Sequence, residues 1–193
     1  QQIKDPKILE EILSNSEICR LAMVDDGKPY LLPFNYGYRD NHIYIHSAPE
    51  GRKIRILRKN PEVCFEIEQK SEIVKAEKAC KWTAIYRSVT GYGIVEIISD
   101  FEEKKKGLGI IMSHNGAKAF SFEDKQVDSV VILKLNITSI SGKKSGNWDK
   151  IFSRSYDLET ERLNLKEINK DDIHDIHKLR SLPEIDRFNT LGI

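Results

Sequence analysis

The stretch whose residue types and spacing most clearly suggest chemistry is HIYIHSAPEGRKIRILRKNP, residues 42–61. Isoleucine alternates with histidine and tyrosine from His42 to His46, which predicts a strand with both histidines on one face. A Pro-Glu-Gly break follows, and the apolar spacing after it predicts a helix that begins at Arg52 and ends at Asn60-Pro61. The stretch therefore predicts a strand, a glycine loop and a strongly basic helix.

The first turn of this predicted helix carries the cations Arg52, Lys53 and Arg55. Helix first turns usually favour acidic residues, because their free amides and the positive end of the macrodipole lie there. A bound phosphate would reconcile the pattern, since it could accept hydrogen bonds from amides near Gly51, from the Ser47 hydroxyl and from Arg52 and Lys53. The alternative is a basic helix face that is only solvated.

Composition describes a globular chain of one domain, or of one domain with an appendage. Of its 193 residues, 32% are charged and 39% hydrophobic, and the net charge is +1. This balance gives no sign of a nucleic-acid partner. No apolar run approaches the roughly 20 residues that span a bilayer, and the N-terminal sequence lacks the apolar segment of a signal peptide. We therefore expect a cytoplasmic protein with no membrane partner.

The three cysteines form no CxxC pair, and their odd number fits a disulfide framework poorly. Cys19 and Cys64 lie in apolar strand patterns, where a buried and inert thiol is expected. Cys80 stands between two lysines, which favour the thiolate, but the sequence identifies no base for it. No cysteine chemistry and no metal site are assigned.

The first half of the chain predicts one helix followed by a meander. Asp5-Pro6 is a helix cap with proline at the first position, and an apolar stripe follows it. Strands are predicted at Ile18–Val24 and Tyr30–Tyr38, with turns at residues 25–27 and 39–41, so that three consecutive antiparallel strands end at His46.

The second half predicts three further strands and a weaker helix. The strands are Val63–Ile67, Ala84–Ile98 and Ser129–Ile140; residues 70–81 form a charged loop or frayed helix, and Phe101–Met112 is the glycine-containing helix. Gly91 and Gly93 lie two residues apart and so face one side of their strand, which indicates sharp coiling or close approach of a ligand or backbone.

Four segments together resemble the nitroimidazole-resistance branch of the pyridoxamine 5′-phosphate oxidase-like flavoproteins. They are YLLPFNYGY, IYIHSAPEGRKIRILRKNPEVCFEI, YRSVTGYG and ITSISGKKS, and in this order and spacing the resemblance covers about residues 8 to 148. It implies a mostly β fold with flanking helices, a six-stranded antiparallel split β-barrel. It also implies a homodimer that holds two molecules of FMN, rather than FAD, at the subunit interface. The barrel domain is expected to comprise residues 1–148.

The resemblance also implies roles for individual residues. Ser47, Arg52 and Lys53 would hold the flavin phosphate, which agrees with the anion site argued above. Phe34, Asn35 and Tyr36 would line the isoalloxazine ring, and Arg87, Ser88 and Val89 would complete the pocket, with the partner subunit as one possible source. His46 would stand beside the ring as the candidate catalytic residue. A structural role for His46 and a surface ion pair for Arg87 are the alternatives.

Residues 149–193 differ in composition from the rest of the chain and are predicted to form a short α/β tail. The segment LETERLNLKEINKDDIHDIHKLRSLPEIDRFNT resembles the first strand and helix of acetyltransferases of the ribosomal-protein-alanine type. The glycine-rich coenzyme loop of those enzymes does not follow, so we expect a truncated acetyltransferase-like segment that does not bind acetyl coenzyme A and that packs on the barrel or its dimer mate. His174 and His177 could be imagined as metal ligands, but a polar helix face is expected.

Two functions from different classes follow from the resemblance. The first is a flavin-dependent oxidoreductase that reduces a small aromatic or nitro compound, similar to a 5-nitroimidazole reductase. The second is a non-catalytic flavin-binding or sensor module, since one fold hosts both. A proton donor beside the ring would distinguish them, and His46, Tyr36 and Tyr44 are the candidates.

Overall fold

The chain divides into two compact units, Gln1–Trp148 and Asp149–Ile193. The computed structural model describes residues 1–146, Trp148 and, in the second unit, the strands Leu158–Glu159 and Asn164–Leu165. These last two strands pair with each other in antiparallel orientation. His174 and His177 lie outside the described residues, and the resemblance of the tail to acetyltransferases remains a prediction.

The first unit contains eight strands and four helices in its described part. The strands are β1 (Gln2–Ile3), β2 (Ile18–Asp25), β3 (Lys28–Asn35), β4 (Gly37–Arg39), β5 (His42–Ser47), β6 (Glu62–Val74), β7 (Thr83–Ile98) and β8 (Val131–Ser145). The helices are α1 (Pro6–Asn15), α2 (Arg52–Lys59), α3 (Phe101–His114) and α4 (Asp124–Asp128), and a 3₁₀ turn covers Ala79–Lys81.

The strands form one antiparallel sheet in the order β3-β2-β6-β7-β8-β5-β4, with β1 added to the end of β8. Six strands are long, and β1 and β4 are short. The edge strands β3 and β4 lie at opposite ends of the hydrogen-bonded path, yet only Tyr36 separates them in the chain. The sheet must therefore curl until its edges meet at Tyr36 without closing by hydrogen bonds. The mostly β split barrel with flanking helices is confirmed.

The main core lies on the inner face of the curled sheet. Residues directly opposite one another in neighbouring strands share a face, and the row Cys19–Ile67–Val89 is fully buried. Helices α1 and α2 add their apolar stripes to this core through Ile12 and Ile54. A second, smaller cluster of Ile98, Ile111 and Ile132 packs under α3.

The hairpin turns follow the predicted chemistry. Asp26 and Gly27 have φ of 48° and 80°, and Asp40 and Asn41 have φ of 51° and 62°. Two consecutive residues with positive φ form the turn that matches the twist of a two-residue hairpin, and Asp, Asn and Gly tolerate it best. Both predicted turns are confirmed.

The predicted three-strand meander is wrong. The segment Tyr30–Tyr38 is not one strand, because it breaks at Tyr36 and changes from one sheet edge to the other. Consequently β3 pairs with β2, whereas β4 pairs with β5, and β5 pairs with β8 rather than with β3. Local alternation identified the strand residues, but it carries no information about where the chain crosses between edges.

Two other segments differ from prediction because strands continue beyond their apolar part. Residues 70–81 were predicted as a loop or frayed helix, but β6 continues past a bulge to Val74 and pairs with the start of β7. β8 likewise continues to Ser145, because Ser141–Ser145 pair with the Tyr86–Thr90 segment of β7. Backbone pairing with a partner strand outweighs weak local propensity there.

Gly91 and Gly93 allow close packing inside the barrel. A Cβ at Gly91 would lie 2.5 Å from the Phe65 ring, and one at Gly93 would overlap the Asn136 carbonyl oxygen. The strand register shifts between Tyr92 and Gly93, which marks a bulge. The predicted close backbone approach is therefore confirmed, and it is made within one chain.

Candidate functional site

The N-terminus of α2 differs from those of its neighbouring helices. Asp5 accepts a hydrogen bond from the Lys7 N–H at the start of α1, and Asp100 accepts one from the Glu103 N–H at the start of α3. α2 begins instead at Gly51, with φ of 116°, no side-chain cap and no acidic residue in its first turn. Its first amides therefore point at a place where an anion would be favoured by both hydrogen bonding and the helix dipole.

Arg52, one of the predicted phosphate ligands, has two partners on the β2–β3 hairpin. Its Nε donates to Oδ2 of Asp25 at 2.8 Å, and its guanidinium lies 4.3 Å from the centroid of the Tyr30 ring. The ion pair is exposed, with 54% of the Arg52 side chain accessible, so it contributes little to stability. It does fix the direction of the guanidinium while leaving the terminal N–H groups available.

Lys53 and Ser47 lie on either side of the Gly51 loop. Lys53 is half-buried and forms no ion pair with the described part of the chain. Ser47 is 4% exposed, and its Oγ donates to the Ala48 carbonyl oxygen at 2.9 Å. A phosphate would have to replace that local bond, and no described hydrogen bond joins Ser47 to Arg52.

His46 and Tyr44 lie on the outer face of β5, as alternation predicted. His46 is exposed, and within residues 1–146 and Trp148 its ring makes no hydrogen bond. Tyr44 lies at a cavity of about 140 Å³ under α3, together with Glu96, Glu103 and Lys134. Desolvation raises the pKa of the Tyr44 hydroxyl, and Asp40 adds to the effect. Tyr44 is thus a protonated donor at neutral pH.

The three predicted ring-lining residues point in different directions. Asn35 is exposed on the outer face, and Phe34 is half-buried and packs against the core. Tyr36 is fully buried, and its hydroxyl donates to the Leu13 carbonyl oxygen at 2.7 Å. Desolvation raises the pKa of the Tyr36 hydroxyl well above its usual range. The side chain of Tyr36 is therefore buried inside the subunit, and only its backbone could contact a ligand.

Arg87, Ser88 and Val89 alternate between the two faces of β7. Val89 is in the core, and Ser88 is half-buried on the outer face. Arg87 is 8% exposed; its Nη1 lies 3.3 Å from Oε1 of Glu11, and its guanidinium lies 4.3 Å from the centroid of the Trp148 ring. Arg87 thus pairs with Glu11, although more deeply than the predicted surface ion pair, and of these three side chains only Ser88 faces outward.

A single chain does not bring all the predicted residues together. His46 lies opposite Ile132, which lies opposite Ile98, whereas Ser88 is ten residues earlier in β7. Ten residues of extended strand span about 33 Å. Ser47, Arg52, Lys53 and His46 therefore belong to one end of the sheet, and Ser88 belongs to the other. One ligand could contact both sets only across two subunits.

Sequence reasoning missed the groups that hold the site residues in place. Asp25, Tyr30, Glu11 and the pair His114–Asn115 were not predicted, because each acts on a residue distant in sequence. The acidic turn at residues 25–26 facing a basic helix was the one available signal, since opposite charges on adjoining segments favour contact.

No group of three His, Cys, Asp or Glu residues suited to a metal occurs among the residues that the structure describes. In the same residues, no helix is both long and apolar enough to cross a bilayer.

The structure is a split β-barrel in which the N-terminus of a basic helix, α2, has no side-chain cap and is suited to binding an anion. The family model described as pyridoxamine 5′-phosphate oxidase matches residues 5–144. The chain belongs to the pyridoxamine 5′-phosphate oxidase family.

Solved structures share the fold of this family, and one curated protein matches part of the chain. The structure of a proposed 5-nitroimidazole antibiotic resistance protein from Bacteroides thetaiotaomicron is 34% identical, with a TM-score of 0.66, and the match covers 74% of this chain and 85% of that one. An FAD- and heme-binding protein from Mycobacterium smegmatis has the same fold at 19% identity, with a TM-score of 0.68 and coverage of 90% and 79%. The "Uncharacterized protein RA0666" of Rhizobium meliloti is 34% identical over 58 residues, which are 30% of this chain and 38% of the relative's length. The resemblance to the nitroimidazole-resistance branch is thereby supported.

Proposed function

We propose that the protein binds FMN and uses it to reduce a small aromatic or nitro compound. The observation that supports the proposal is the start of α2, where uncapped amides follow Gly51 with its positive φ, and where Lys53 stands in a first turn that has no acidic residue. These groups suit a phosphate monoester better than a neutral ligand. The 34% identity to a protein named for 5-nitroimidazole resistance suggests the substrate class.

The residues of this chain would bind and orient the cofactor. Lys53, Ser47 and the first amides of α2 would hold the phosphate, and Arg52 would add its terminal N–H groups from the position set by Asp25 and Tyr30. When bound, the flavin supplies the redox chemistry, accepting and passing on reducing equivalents. Asn35 lies opposite Ile18, in line with Ser88 across the sheet, and would contact the ring of a flavin that is shared between two subunits.

The proposal includes a homodimer with the flavin at its interface. The outer sheet face presents an apolar row that crosses four strands, Leu31–Ala22–Cys64–Tyr92. Leu31 and Tyr92 are 58% and 61% exposed, and Ile18, Val24 and Ile94 on the same face are also exposed. Exposed apolar patches of this kind favour association. Asn35 and Ser88 lie on the same face, so a flavin in contact with them would be covered by the second subunit.

The experiment that tests the proposal is the visible spectrum of the purified protein, followed by chromatography of the released cofactor. We expect a flavin spectrum and elution with FMN. The same chromatography separates FMN from FAD, the cofactor named for the M. smegmatis relative. Failure to retain or to bind added FMN at micromolar concentration would overturn the proposal.

One observation favours the second candidate, a flavin-binding module without catalysis. His46, the candidate proton donor, is exposed and has no hydrogen-bond partner in the described part of the chain that would orient it. Catalytic acids are usually held by a neighbouring group. Reduction of a nitroimidazole by the reduced holoprotein, compared with free reduced FMN at equal concentration, separates the two functions. A rate no greater than that of free FMN would favour the module.

A further inference from the structure

The split in the barrel leaves backbone groups that no strand can pair. At Tyr36 the chain stops pairing with β2, and Gly37–Arg39 then pair with β5 on one side only, so the Tyr36 carbonyl and the Tyr38 N–H have no strand partner. Buried peptide groups need partners, because leaving one unpaired costs about as much as a lost hydrogen bond. The partners here come from the last turn of α3.

His114 and Asn115 supply those partners. The Tyr38 N–H donates to Nδ1 of His114 at 3.3 Å, and Nδ2 of Asn115 donates to the Tyr36 carbonyl oxygen at 2.9 Å. The His114 ring also stacks on the Tyr36 ring, with centroids 4.6 Å apart. Gly37 between them packs directly on the α3 backbone, where a Cβ would lie 2.7 Å from the Ile111 N. The segment is therefore fixed in position and in orientation.

The same histidine joins α1 to this junction. Its Nε2 lies 2.8 Å from the Ser16 carbonyl oxygen, which can only accept a hydrogen bond. Nε2 must therefore carry the proton, while Nδ1 accepts from Tyr38, so the ring is the neutral tautomer with both nitrogens used. The Tyr36 hydroxyl adds a second tie to α1 through Leu13.

We propose that His114 and Asn115 are positioning residues that set where the Phe34–Asn35 segment meets the isoalloxazine ring, an inference that rests on the proposed flavin function. The two residues touch no predicted ligand atom, and they act through the backbone of residues 36–38. The predicted phosphate ligands lie on α2 and at Ser47, the end of β5 beyond the residues that pair with β4. The effect should therefore concern the ring more than the phosphate.

The experiment compares FMN and riboflavin, which has the same ring and no phosphate. His114→Ala and Asn115→Ala are each titrated with both flavins by fluorescence, at a temperature where circular dichroism shows the variant folded. We expect His114→Ala to weaken both flavins by the same factor, about tenfold, and Asn115→Ala to weaken both by less. The visible band of the bound flavin should shift as well. His42→Ala on β5, a histidine outside the proposed site, is the matched control and should leave both affinities unchanged.

Unchanged affinity for both flavins in folded His114→Ala would overturn the inference, and so would a loss confined to FMN. If His114→Ala does not fold, Asn115→Ala decides, because it removes one donor and leaves the ring stack in place. If the wild-type protein binds neither flavin, the proposed function is refuted. If the wild type binds both flavins and the variants bind them equally well, only the positioning role is refuted.

Discussion

Arg52 contacts two residues of its own chain and still has N–H groups that could bind a ligand. Its Nε is paired with Asp25 and its plane lies on Tyr30, yet an arginine has five N–H donors and most remain free for a ligand. Lys53 has no such partner in the described residues. The two cations at the start of α2 are therefore not equivalent, and Lys53 should respond more simply to substitution.

Lys53→Ala should weaken FMN binding by about 1.5–3 kcal/mol, the range for a hydrogen bond to a charged group, and should leave riboflavin binding unchanged. Isothermal titration with both flavins measures this. Arg58→Ala, at the exposed C-terminal end of the same helix, is the control and should bind FMN like the wild type. Equal losses for FMN and riboflavin would place Lys53 away from the phosphate.

The three thiols should react in the order Cys80, Cys64, Cys19. Cys80 is exposed, desolvation raises the pKa of the half-buried Cys64, and desolvation with a contribution from Glu66 raises the pKa of buried Cys19 to about 12. Since the thiolate is the reactive form, the raised pKa values of Cys64 and Cys19 should slow their alkylation, and burial should slow that of Cys19 further. Mass spectrometry of tryptic peptides follows each site. Alkylation of Cys19 in the folded protein at pH 8 would contradict the order.

Helix α3 packs against β4, β5 and β8. Two glycines allow close packing at this helix: Gly37 on β4 meets the α3 backbone, and Gly107 on α3 faces Ile132, where a Cβ would lie 3.0 Å away. Gly109 has more room, since a Cβ there would be 3.4 Å from the Phe120 ring. The glycine content that weakened the helix prediction is therefore partly a packing requirement.

Gly37→Ala should lower the free energy of unfolding by about 1–3 kcal/mol, because its Cβ would overlap backbone atoms that cannot move aside. Gly109→Ala should instead raise it by roughly 0.5–1 kcal/mol, since alanine favours the helix interior and the neighbouring ring is in ordinary contact. Urea unfolding of both variants measures the difference. Destabilisation by Gly109→Ala equal to that by Gly37→Ala would show that the helix tolerates no added volume.

The sequence predicted the elements better than their connections. The cap at Asp5, both hairpin turns and the basic helix after Gly51 depend on local chemistry, and they were predicted. The break at Tyr36 was not predicted, because the side chains that bond to the backbone there, Asn115 and His114, lie far along the chain. The same limit applies to the site, where residue types indicated a phosphate, but the pairing of Arg52 with Asp25 depends on tertiary contact.

At the scale of the whole molecule, the outer apolar row is the surface to test for self-association. Tyr92→Lys places a charge at its most exposed member and should convert a dimer into a monomer of 22.3 kDa with weakened flavin binding. Sedimentation velocity at micromolar concentration measures the mass. Met112→Lys, an exposed apolar position on α3, is the control and should remain dimeric. A wild-type monomer that binds FMN with full affinity would refute the interface.

The position of β8 in the sheet has a consequence for synthesis on the ribosome. β8 pairs with β1, β5 and β7, and it supplies Ile132 to the cluster under α3. Until residues 131–145 leave the exit tunnel, the β4–β5 hairpin has one unpaired edge and β7 lacks a neighbour on one side. The barrel therefore cannot close step by step as the chain emerges. The nascent chain therefore exposes strand edges of β5 and β7 until β8 emerges, and we expect chaperones that shield such edges to improve its folding yield.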